Sequence, residues 1–404
     1  MNSRFLIARA LCAAGLFSLA ASLAQAATDA TETAAAGLWR SFLEVYRKES
    51  LEPLAPEVLD EKARASLIAS AGPRFRTWKP DHNPSFRTMV AEIASSDGSV
   101  TQFDRVEETL KDLLPKIDRY GHYKTASDVA QLRNALRQNS GGLHLALEVS
   151  PDGRILCFPM DDGPAALAGV KHGAVLLEMD GRSVEGKSLA ALQFASVGPP
   201  GSPIHFKVRQ PHGKIEELDI IRTDKPVQII KMVENPLGIT LRILRFDAGT
   251  AKTTKSLLAS HPKLGRLTLD LRGNSGGLRE EALYVASMFF PEGTVLCHFS
   301  DSSGPGIQRD GNEVTLAPTS IRILQDQRTA SAAELLIAVL KEGLPEKTRI
   351  FGTRTYGKAH STLHTLLEGG GEIAVTETRL STAADQSWDQ TGIPPDEANP
   401  TPTR

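Results

Sequence analysis

The stretch Leu324-Gln325-Asp326-Gln327-Arg328-Thr329-Ala330-Ser331-Ala332-Ala333-Glu334-Leu335 decides how this chain is read. The alternating run Ile321 to Leu324 predicts a strand, and Ala332 to Glu342, rich in Ala, Leu and Glu, predicts a helix. A strand at Leu267 to Leu271 and a helix at Glu280 to Phe289 precede this pair, and a strand at Arg349 to Phe351 follows. Strands alternating with helices make an α/β layer architecture. Ser331 stands where strand gives way to helix, with its hydroxyl exposed at a helix N-terminus whose first N–H groups lack intrahelical partners. Taken alone, the simpler reading is a helix cap, with Glu334 completing a capping box.

Two flanking blocks change that balance. Upstream, Leu269-Asp270-Leu271-Arg272-Gly273-Asn274-Ser275-Gly276-Gly277-Leu278 ends a strand in a glycine-rich turn. Such a turn brings backbone close to a substrate carbonyl and aims N–H groups at a developing oxyanion, which makes Gly276 and Gly277 candidate donors. Downstream, Ile350-Phe351-Gly352-Thr353-Arg354-Thr355-Tyr356-Gly357-Lys358 places a lysine 27 positions after Ser331. The intervening helix and strand return the chain to the strand's end beside the serine. A lysine acts as general base only when neutral, so its ordinary pKa of about 10.4 must fall by burial, with Phe351 and Tyr356 the apolar neighbours expected to assist.

Together the three blocks resemble the C-terminal processing peptidases, or tail-specific proteases, of peptidase family S41. The resemblance implies a serine endopeptidase with Ser331 as nucleophile, Lys358 as general base, and an oxyanion site formed by N–H groups of Gly276, Gly277 and Ala332. It also implies a mixed α+β chain with a crotonase-like spiral of sheets over residues 225–404. Gly392-Ile393-Pro394-Pro395-Asp396 and Asp118-Arg119-Tyr120-Gly121-His122-Tyr123 extend the likeness. One position departs. The family commonly carries Gln four residues after the lysine, where this chain has Thr362, leaving Thr362, His360 and Ser361 as alternatives for orienting the amine.

Gly273-Asn274-Ser275-Gly276-Gly277 also satisfies the G-x-S-x-G pattern and looks like the nucleophile loop of exported trypsin-like proteases. Those carry their barrels ahead of the peptide-binding module, whereas here that module comes first. Ser275 is therefore the minor alternative. A binding protein with an inactive protease domain is the other, motivated by Thr362.

Residues 139–224 read as short strands with two helical pieces, at Pro164 to Ala168 and Ser188 to Ser196. Three ordered blocks, Gly141 to Leu145, Gly163 to Gly173 and Glu178 to Val184, resemble PDZ domains of bacterial proteases. The implied function is capture of a polypeptide's free C-terminus by an edge strand and a loop of free N–H groups, at Gly142, Leu143, His144 and Leu145. Residues 27–138 read as a helical N-terminal domain, with amphipathic stretches at Leu38 to Arg47, Pro56 to Ala71 and Phe103 to Ile117.

Arg4 and Arg9, the apolar run Ala10 to Leu23 and the small residues of Ala24-Gln25-Ala26 predict a cleavable signal peptide at residues 1–26, with an uncleaved membrane anchor the alternative, so a periplasmic or secreted protein is expected. Its removal takes the formal net charge from −2 to −4, which argues against nucleic acid and anionic membrane as partners. Cys157 and Cys297, 140 positions apart, are expected as buried thiols, with a disulfide the alternative. The ten histidines show no paired ligand spacing and no phosphate-binding glycine loop occurs, so no metal or nucleotide cofactor is expected.

Overall fold

The computed structural model describes residues 32–398 except 76–83, 97–98, 138–140, 151, 161, 188, 237, 262–263 and 310–315. The expected signal peptide lies outside the described residues. Two compact units form: Met1–Lys124 with Ile229–Arg404, and Thr125–Gln228 between them in sequence.

The first unit is built on a six-stranded sheet. Across it run Ile230–Asn235, Gly238–Ile243, Arg266–Asp270, Ser320–Gln325, Thr348–Gly352 and Glu397–Ala398. The first pair is antiparallel and every later neighbour pair is parallel. Parallel neighbours need long crossovers. Helices Arg279–Ser287 and Ala332–Gly343 lie in two of them, and both contribute to the apolar core against Leu267, Leu269, Ile321 and Ile323. The expected strands and helices of this region thus form, with ends shifted by a residue or two. Because Arg266–Asp270, Ser320–Gln325 and Thr348–Gly352 are parallel neighbours, the loops after them emerge at one edge of the sheet. This parallel sheet also excludes the double antiparallel barrel that the Ser275 alternative requires.

A five-stranded antiparallel sheet completes the unit. Its long strand Glu372–Thr382 pairs with His122–Lys124, Val295–Asp301 and His360–Leu366. The N-terminal helices, residues 32–49 and Pro56–Ser70, Phe86–Ser96 and Gln102–Ile117, fall within the same compact unit. Leu38, Phe42, Tyr46, Leu110 and Leu113 share one buried cluster with Leu367, Ile373 and Val375 of the second sheet region. Their apolar stripes pack against that sheet.

The second unit holds a six-stranded antiparallel sheet in the order Leu145–Val149, Ile155–Pro159, Ala174–Met179, Pro203–Arg209, Ile215–Ile221, with Arg182–Ser183 on Ala174–Met179. Helix Ala126–Arg137, expected with the N-terminal helices, belongs to this unit. Leu145–Val149 ends the strand order. The backbone of Gly142 is taken up by Thr223, N–H to carbonyl at 2.8 Å and the reverse at 3.0 Å, so its N–H is not among the free donors expected of that loop. Cys157 and Cys297 are both free and buried, and burial pushes their thiols up to about 12 and about 11.

Candidate active site

Three loops meet at the edge where the parallel strands end, and hydrogen bonds lace them together. After Arg266–Asp270, the turn Gly273–Gly277 is tied to the next loop by Asp326, whose Oδ1 accepts the N–H of Gly273 at 3.0 Å and those of Arg328 and Thr329 at 3.0 and 3.1 Å. The Thr329 hydroxyl donates to the Leu271 carbonyl at 2.9 Å, and the Ala330 N–H to the Asn274 carbonyl at 2.9 Å. The Tyr356 N–H, in the third loop, donates to the Thr329 carbonyl at 3.0 Å.

Ser331 enters helix Ala332–Gly343 with φ 57° and ψ −121°, a conformation that costs an L-residue about 1–3 kcal/mol and survives only where its surroundings fix it. Gly276, at φ 105°, is one of those surroundings: a Cβ there would lie 2.8 Å from Ser331 Cβ and 2.9 Å from the Ala330 carbonyl. Only hydrogen fits between turn and serine. The two expected oxyanion glycines part company here. The N–H of Gly276 donates to Asn274 Oδ1 at 2.9 Å, whereas those of Gly277 and Ala332 have no hydrogen-bond acceptor among the described residues.

Glu334, fully buried, is the residue whose role the sequence half disclosed. Its Oε2 accepts the N–H of Ser331 at 2.9 Å, as the capping box predicts, and also the N–H of Lys358 at 2.8 Å. Its Oε1 accepts the N–H of Gly357 at 2.7 Å and the hydroxyl of Thr355. One carboxylate therefore holds the start of the serine helix and the lysine loop together.

Burial lowers the Lys358 amine below its ordinary pKa, and the negative charge of Asp118 opposes part of that shift. The aromatic neighbour is not the one expected. Tyr356 is 58% exposed and Phe351 lies under the Arg322 guanidinium, whereas the ring centroid of Tyr120 sits 5.1 Å from Lys358 Nζ. The Tyr120 hydroxyl donates to Asp389 Oδ1 at 2.9 Å and lies 3.3 Å from the Gly357 carbonyl. Asp389 Oδ1 also meets Nδ1 of His360 at 3.0 Å and the Ala359 N–H at 3.3 Å. Burial, then the bond to Asp389, raises the Tyr120 phenol above its usual range, so it remains a donor. Burial alone would raise Asp389, but its bonds from Tyr120, His360 and Ala359 hold it below the usual carboxylate range. Asp118, Arg119, Tyr120, His360, Asp389 and Gln390 line an open cleft of about 450 Å³.

Thr362 lies on strand His360–Leu366, beside an irregularity between Ser361 and Thr362, opposite Thr376. His360 is committed to Asp389. Ser275 is exposed, and no histidine or lysine hydrogen-bonds to it among the described residues. Asp396 closes the C-terminal segment onto the sheet, accepting from the Ile350 N–H and from Lys341.

Residues 239–398 match the model of peptidase family S41. A carboxy-terminal-processing protease of Bartonella bacilliformis is 28% identical over 72% of this chain and 68% of its own length. The carboxy-terminal processing protease of Bacillus subtilis is 26% identical over 72% of this chain and 63% of its own. The chain thus spans about two thirds of the length of these relatives. In fold, the chain is similar to a photosystem II D1 C-terminal processing protease, at TM-score 0.62 and 22% identity over 91% of this chain and 93% of the other.

Proposed function

We propose, on the premise that this chain belongs to the C-terminal processing peptidases of family S41, that it is a serine endopeptidase in which Ser331 and Lys358 act as a dyad. The observation that carries this reading is Glu334, whose one carboxylate oxygen binds the backbone of both residues. The neutral Lys358 amine accepts the Ser331 Oγ proton as Oγ bonds to the scissile carbonyl carbon. The N–H groups of Gly277 and Ala332 receive the oxyanion. Collapse of the adduct breaks the C–N bond, the Lys358 ammonium gives its proton to the leaving amine, and water then releases the acyl group from Ser331 by the same cycle.

Capture of the substrate's C-terminus belongs, in this reading, to the second unit. Leu145–Val149 at the end of its strand order supports strand addition, and Leu143 and His144 are the donors left for the terminal carboxylate once Gly142 is excluded. Export by the signal peptide completes the proposal. No helix among the described residues is long and apolar enough to cross a membrane.

The test is turnover of an unstructured polypeptide by Ser331→Ala and Lys358→Ala made separately. Each substitution abolishes cleavage if the dyad is correct, and survival of turnover in either one sinks it.

A further inference from the structure

We infer that Tyr120 is the positioning residue of Lys358, orienting the amine and its loop from a distant segment. The inference rests on the dyad reading of Lys358 and deepens it. Tyr120 makes two contacts with the lysine loop and a third with Asp389, which also binds that loop. The ring lies 5.1 Å from Nζ, the hydroxyl lies 3.3 Å from the carbonyl of Gly357, and the same hydroxyl donates to Asp389. Asp389 in turn holds the N–H of Ala359 and the ring of His360, so residues 357, 359 and 360 on either side of the lysine are fixed from one centre.

The ring serves two stages of the reaction. Before attack it keeps water from the amine, and burial is the chief reason that Lys358 is held below its ordinary pKa. During attack the amine takes up a proton, and the ammonium forms beside a ring whose negative face attracts cations. That attraction is absent from the neutral ground state, so it favours the step in which charge appears. Among the described residues, the charged and titratable groups around this point are Asp118 and Arg119 beside Tyr120, Tyr356 in the lysine loop, Glu334 on the serine helix, and His360 and Asp389 beyond the phenol. Among them Asp118 acts on the amine by charge, opposing the lowering.

The experiment compares Tyr120→Phe and Tyr120→Ala in the full chain, with denatured casein as substrate and pH profiles of kcat/KM. Tyr120→Phe keeps the ring and loses the hydroxyl contacts: kcat falls about tenfold, with KM and the acid limb unchanged. Tyr120→Ala admits water to the amine: kcat falls about a hundredfold and the acid limb moves to higher pH. A purely structural role lowers the active fraction without moving that limb. Either variant, folded by circular dichroism and retaining wild-type kcat, overturns the inference, as does a folded Tyr120→Ala with an unmoved acid limb. Should Tyr120→Ala fail to fold, Tyr120→Phe decides alone by its kcat. Turnover surviving in Lys358→Ala removes the dyad beneath; an inert Lys358→Ala beside unaffected Tyr120 variants removes only the role given to Tyr120.

Discussion

Ser331 and Lys358 donate their backbone N–H groups to the same oxygen, Oε2 of Glu334, at 2.9 and 2.8 Å. The other oxygen takes Gly357 and Thr355, so four donors converge on one buried carboxylate. A carboxylate is suited to this place because both of its oxygens accept only.

Glu334→Gln tests the arrangement. An amide turns one of the two acceptors into a donor, and at least one N–H of the set loses its partner in a dry site. The expected cost is about 2–4 kcal/mol in urea unfolding. Turnover per folded molecule falls at least about tenfold, because the serine and lysine loops lose their common tether. A variant within about 0.5 kcal/mol of wild type and fully active would show that the tether is dispensable.

Gly276→Ala and Gly273→Ala form a second test, because both glycines have positive φ but differ in space. At Gly276, φ 105°, the new methyl meets Ser331 Cβ at 2.8 Å and backbone at 2.9 and 3.0 Å. At Gly273, φ 73°, the nearest atom is the end of Arg328 at 3.8 Å. Gly273→Ala is expected to cost about 1–2 kcal/mol, the left-handed backbone alone. Gly276→Ala adds a clash that must displace Ser331, so its activity loss far exceeds its loss of melting temperature. Equal effects at the two positions would count against the close approach.

The dependence on pH follows from the lysine. Its amine is lowered by burial and, in the proposed dyad, must be unprotonated to accept the serine proton, so kcat/KM is expected to rise with pH through a limb below the ordinary lysine value. Asp118→Asn removes the charge that favours the ammonium, and the acid limb moves to lower pH. Lys358→Arg carries a guanidinium that does not deprotonate in this range, and is inactive throughout. Movement of the Asp118→Asn limb to higher pH would contradict the assignment.

What the sequence discloses is local, and what it leaves hidden is contact between distant segments. The strand, turn and helix around Ser331 announce themselves through a short apolar alternation followed by helix-forming residues. Half of Glu334 was legible for the same reason, as an N3 residue returning to its own helix start. Its other half depends on a loop more than twenty residues on, where Thr355, Gly357 and Lys358 show no pattern that names an acceptor. Tyr120 lay in a segment whose likeness was evident, yet its partners Gly357 and Asp389 are 237 and 269 positions away. Proximity in sequence suggested Tyr356 instead, and that side chain points to solvent. The amphipathic helices were likewise visible without the sheet that covers them.

Phe42 is fully buried on the helix of residues 32–49, its ring 5.6 Å from that of Tyr46 and 4.9 Å from that of Trp39. The same cluster contains Ile373 and Val375 of the strand that also pairs with His360–Leu366, two positions beyond Lys358. Phe42→Ala is therefore expected to cost about 3–5 kcal/mol and to shift the loss of helical signal and the loss of proteolytic activity to the same lower urea concentration. A helical domain with its own core would behave otherwise: the helical transition alone would move, leaving the midpoint for activity in place. Coincident midpoints in wild type and variant identify one cooperative unit from the first helix to the catalytic loops.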